Sequence, residues 1–136
     1  MADTGDVLDV LADQLEAEHG RETAAAAAWD IVGLGERLAD AAVWQNGVDP
    51  VRAMVAAQSC REARRYLLAP ACGRSVQTPR PTSDATSSCA RLLDRLASVL
   101  QSSSGTIIQP DALARQAAAE HTTAAHQALS AIWRTP

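Results

Sequence analysis

Three groups of residues in this chain have the types and spacing to do chemistry. The first centres on His121. A helical wheel sets it among Ala114, Ala117, Ala118, Ala124, Ala125, Ala128 and Ile132, near the middle of an apolar arc. Alanines leave room around an imidazole, which can then contact a ligand or move a proton in an internal pocket. The plainer expectation is a core histidine bonded to a backbone carbonyl or a carboxylate. His126 falls on the opposite face and is expected in solvent.

The second group is Glu62 with Arg65 and Tyr66, three and four residues on along one helix, beside Val51, Val55 and Gln58. A carboxylate, a guanidinium and a phenol can hold a polar ligand or share acid–base work. The same residues equally make an ordinary solvated helix face with one weak ion pair. The third group is a run of arginines. From Cys60 to Arg95 there are seven, at 61, 64, 65, 74, 80, 91 and 95, against Glu62, Asp84 and Asp94. Such a run suits an anionic partner such as a phosphate group or an acidic peptide. Nucleic acid is not expected, because the domain is not basic overall and offers no recognition helix. A catalytic role would fall to His121, Glu62, Arg65 and Tyr66. A binding role would fall to Arg61, Arg64, Arg65, Gln58 and Trp29.

Other chemistry is thinly represented. Glu16-x-x-His19 has the spacing of a di-iron bundle ligand pair, but helix 5 has Ala118 where the second glutamate belongs. Cys60, Cys72 and Cys89 form no C-x-x-C pair, and Cys60 and Cys89 fall on apolar stripes. Cys72 is the thiol expected at the surface. Gly33-Leu-Gly35 lies inside a helix and lacks the strand of a dinucleotide site. No metal and no cofactor is expected.

The elements that must position these residues are helical. The chain has 136 residues, 47% hydrophobic, with no Phe, one Tyr (Tyr66) and three Trp, so its apolar content is mainly Ala, Leu and Val. Punctuation predicts five helices. Helix 1 runs from Thr4 to Gly20, helix 2 from Glu22 to Gln45, and helix 3 from Asp49-Pro50 to Ala69. Residues 70–82, with three prolines and a glycine, predict an exposed loop. Helix 4 starts at Thr82 or Ser83, with the stripe Cys89, Leu92, Leu93, Leu96, Val99 and Leu100. Helix 5 follows Gln109-Pro110-Asp111, read as a second start with proline at the first helical position, and runs to about Trp133. Leu8-Asp-Val-Leu-Ala-Asp-Gln-Leu15 echoes Leu93-Asp-Arg-Leu-Ala-Ser-Val-Leu100, as two amphipathic helices in one register would.

Charge divides the chain. Residues 1–50 hold eleven acids and two arginines, a net of −9, and residues 51–136 hold five acids and ten arginines, a net of +5. Either the two halves pack together or one surface meets an oppositely charged partner. Trp44-Gln-Asn-Gly47 resembles the W-x-G turn of small secreted helical-hairpin proteins. Its spacing is one residue longer and the chain has more helices, so nothing is carried over from that likeness.

The expectation is one all-α domain over 1–136, a compact antiparallel bundle of five helices with helices 2 and 5 central. Helix 2 carries more apolar surface than one bundle side hides, which predicts a homodimer. No signal peptide or membrane span is read, and a cytoplasmic setting is expected. The functional expectation is a non-catalytic binding or regulatory protein of adaptor type, with a protein, peptide or anionic small molecule as partner. The alternative is a small helical tailoring enzyme working by acid–base chemistry on a peptide or metabolite, in a groove between helices or subunits.

Overall fold

Side-chain caps set the helix starts. Asp49 Oδ1 accepts hydrogen bonds from the amides of Val51 and Arg52, and Pro50 fills the first helical position, where its missing N–H costs nothing. Thr82 Oγ1 accepts from Ala85 N, and Asp111 Oδ1 accepts from Leu113 N and Ala114 N. Pro110 therefore stands outside helix 5, one residue before its cap. The expected proline-first start holds at Pro50 and not at Pro110.

The computed structural model describes residues 4–14, 21–70 and 77–133. It contains α1 (Thr4–Gln14), α2 (Arg21–Ala42), α3 (Pro50–Arg65), α4 (Ser83–Gln101), a 3-10 turn (Ser103–Ile107) and α5 (Ala112–Ser130). Among the described residues there is no strand. The Gly20 cap and the Glu16/His19 pair lie outside the described residues. Helix 3 ends at Arg65, earlier than predicted, because Tyr66 N and Leu67 N turn back onto the carbonyls of Ala63 and Arg64. Between α2 and α3 the chain reverses through Gly47, whose φ of +86° suits a residue without Cβ.

Four helices form a ring. α2 packs on α3 and α4, α5 packs on α3 and α4, and α2 and α5 touch at few positions. α1 lies outside the ring, on α4 and α2. The expected central pair is thus a diagonal of the ring, and α5 keeps an open face on which Leu113 is exposed. The core is built from leucine, isoleucine and alanine, with Ile31, Leu34, Leu38, Leu93, Leu96 and Leu129 among its largest members. Small residues let the helices close up. A Cβ on Gly35 would stand 2.9 Å from Cys60 Sγ, so α3 meets α2 where a methyl group would otherwise be.

α2 is wrapped more fully than one bundle side explains. α1, α3 and α4 cover it, and Thr78 Oγ1 accepts a 2.7 Å hydrogen bond from Arg37 Nε, which lays the connection after residue 76 across its outer side. Thr78, Pro79 and Pro81 are half-buried there, so that part of the predicted loop is not open. No large apolar side chain of α2 is exposed among the described residues. The apolar excess of helix 2 is hidden within one chain, which removes the expected ground for a dimer through that helix.

Long-range hydrogen bonds fix the ring ends. Asp49 N donates to Ile132 O at 2.6 Å, and Trp133 Nε1 donates to Thr86 Oγ1 at 2.8 Å. Buried Gln109 donates from Nε2 to Tyr66 O at 2.7 Å. Among the described residues, no helix is long and apolar enough to cross a membrane.

Candidate functional site

α3 separates the predicted site residues, with Arg61 and Arg64 toward α2, the Glu62 group on its own surface and Tyr66 toward α5. Toward α2, the largely buried Glu36 accepts from Arg64 Nη1 at 2.8 Å and lies 3.4 Å from Arg61 Nε. Arg64 also sits over the ring of Trp29, 5.8 Å from its centroid. Two of the predicted anion-binding arginines are therefore committed to a carboxylate of their own chain. Glu36 was not visible as their partner, since 25 and 28 residues separate it from them and only packing brings them together.

On the surface of α3, Glu62 behaves as its spacing predicts. Gln58 Nε2 donates to Glu62 Oε1 at 3.1 Å, and Arg65 Nη1 reaches both carboxylate oxygens at 3.3 and 3.4 Å. With two donors on it, the carboxylate is held as an acceptor. Tyr66 departs from the expected trio: its ring stacks on His121, centroids 5.8 Å apart and planes 8° from parallel. The two separately predicted candidates thus meet each other. They form a half-exposed aromatic pair at the α3–α5 seam, with Gln109 beneath holding the Tyr66 carbonyl.

His121 is consequently not sealed among alanines. The buried face of α5 is Ala118, Ala119, Thr122, Ala125 and Leu129, one residue round the wheel from the predicted arc. Thr122 sits at its centre because its hydroxyl donates to Ala118 O at 2.6 Å and leaves a methyl for packing. His126, expected in solvent, instead faces α4, with Nδ1 2.8 Å from Ala90 O and Nε2 4.0 Å from Asp94 Oδ1.

The thiols of Cys60 and Cys89 are free and buried. Burial first, then neighbouring Cys89, Glu36 and Asp40, push the Cys60 thiol far above its ordinary 9.0, with Arg64 opposing. Burial pushes Cys89 up to about 12, with Arg37 opposing. Neither is set up as a nucleophile, which needs a lowered pKa. Cys72 and Arg74 lie outside the described residues. Among the described residues, no three His, Cys, Asp or Glu side chains converge as metal ligands.

One concave feature lies elsewhere. Between α1 and α4 a cleft of about 310 Å³ is lined by Asp9 and Ala12 on one wall, and by Ser88, Arg91, Leu92, Asp94 and Arg95 on the other. Arg91 and Arg95 of the predicted arginine run line it, and none of the predicted catalytic residues does. Sequence reasoning missed it because two helices more than seventy residues apart build it.

Beside the Glu62 group, α3 turns Val51, Met54 and Val55 outward, 66%, 59% and 49% exposed, and Trp44 on the preceding turn is 86% exposed. Compared with protein-family models, with curated proteins and with solved structures, the chain matches none.

Proposed function

We propose that this chain is a non-catalytic helical binding protein of adaptor type, acting as a homodimer through the outer face of α3. The observation that carries the proposal is the exposed run Val51, Met54 and Val55, a little over one turn of one helix with apolar side chains in water. That run continues into Gln58, Glu62 and Arg65, a polar margin suited to a protein or peptide partner. The dimer expectation is kept, and its face moves from α2 to α3. The ties Asp49–Ile132 and Tyr66–His121 support an antiparallel course of α3 and α5. The free thiols at Cys60 and Cys89 support a cytoplasmic setting.

The test is the solution mass over a range of micromolar concentrations, for the native chain and for Met54→Asp/Val55→Asp. A dimer that the double substitution converts to a folded monomer is expected. A native chain that stays monomeric throughout would overturn the dimer. The enzymatic reading is second, and the half-exposed Tyr66–His121 stack is the observation in its favour. It requires that His121→Ala abolish turnover of some peptide or metabolite while leaving the fold intact.

A further inference from the structure

α1 is attached differently from every other helix. From Thr4 to Gln14 it holds Asp6, Asp9 and Asp13 and no basic residue. It seats Leu11 at 3% exposure, while its neighbour Val10 is 54% exposed. An isolated helix of this length is not stable in water, so α1 stays helical only while docked. One of its two platforms, α4, presents Arg91 and Arg95 one turn apart with Leu92 between them and Ser88 a turn earlier. Acid meets base across an apolar floor, yet the fit is incomplete, since the seam encloses the cleft of about 310 Å³.

We propose that this face of α4 is a docking surface for an acidic amphipathic helix of a partner protein, and that α1 occupies it in cis. The charge pattern selects the partner: aspartate or glutamate at helical spacing to meet Arg91 and Arg95, and an apolar side chain against Leu92. A bulkier apolar residue than Ala12 would fill space that α1 leaves empty. Asp94 stands on the same wall and repels a run of phosphates, so a nucleic acid fits less well than a helix with spaced carboxylates. Being tethered, α1 competes at a high effective concentration and keeps weak acidic helices off.

The test uses the full chain and a stapled, fluorescein-labelled peptide with the sequence of residues 4–14, read by anisotropy. Leu11→Asp, which unseats α1, is expected to bind the peptide at least about tenfold more tightly than the native chain, the factor that losing one buried leucine implies. Adding Arg91→Glu and Arg95→Glu to that variant, or raising salt to about 0.5 M, is expected to weaken binding again. Equal binding by the native chain and Leu11→Asp would overturn the cis occupancy. Binding that ignores the arginine substitutions, or a preference for oligouridylate over the peptide, would overturn the partner class. If Leu11→Asp does not fold, hydrogen exchange on the native chain decides. Excess peptide should speed exchange of α1 amides and leave α5 unchanged, and an unaltered α1 would refute the proposal.

Discussion

Residues 8–14 of α1 and 93–99 of α4 share leucine, aspartate, leucine and alanine at the same four positions, and the fold uses them unequally. In α4, Leu93, Leu96 and Leu100 are all buried, Arg95 points outward, and the helix is held between α2 and α5. In α1, Leu11 at the position of Leu96 is buried, while Val10 at the position of Arg95 stands in water. A periodic stripe states which side of a helix is apolar; the number of neighbours decides how much of it is covered. α4 has α1, α2 and α5 around it, a cap at Thr82 and the Thr86–Trp133 bond. α1 has two neighbours and, among its described side chains, one well-seated leucine.

That contrast is open to attack by mutation and by pH. The largest effect is expected from Leu96→Ala, about 3 kcal/mol lost in urea unfolding, because the surrounding ring cannot collapse into the hole. Next comes alkaline pH. Both thiols keep their protons in the folded chain above the pH where an unfolded cysteine loses its own, near 9.0. The folded state then binds more protons than the unfolded one, so the stability present below pH 9 is lost as pH rises toward 12. Compared between pH 9 and pH 10, each thiol costs at most about 1.4 kcal/mol, and Cys89→Ala should reduce the loss. Leu11→Ala comes third, at about 1 to 2 kcal/mol, since an edge position relaxes more readily. A loss as large as that at Leu96 would make α1 an integral part of the core and erase the comparison. The smallest is Thr86→Val, about 1 kcal/mol, with a shift in Trp133 fluorescence as its indole N–H loses its acceptor.

The same contrast marks what the residues disclose before folding. Asp49-Pro50, the α4 stripe and the Glu62–Arg65 pair were legible because each is decided within one or two turns of chain. Pairings set by the ring were not. Tyr66 meets His121 across 55 residues, and Glu36 meets Arg61 and Arg64 across a helix interface. The His121 arc was misplaced for a physical reason: alanine tolerates water and interior alike, so an alanine-rich wheel has no sharp centre. The true centre, Thr122, looks polar until its hydroxyl is seen bonded to its own helix.

The meeting of Cys60 with Gly35 has a consequence for chemical damage. Sulfur occupies the space of a missing methyl group, with Leu93 closing the other side, so an alkylating agent has no route to it while the ring is shut. Modification of Cys60 and Cys89 is then gated by opening of the ring, and its rate follows the fraction of molecules that are open. Under an electrophile, the modified fraction of this chain then becomes a record of how much of its time it has spent open.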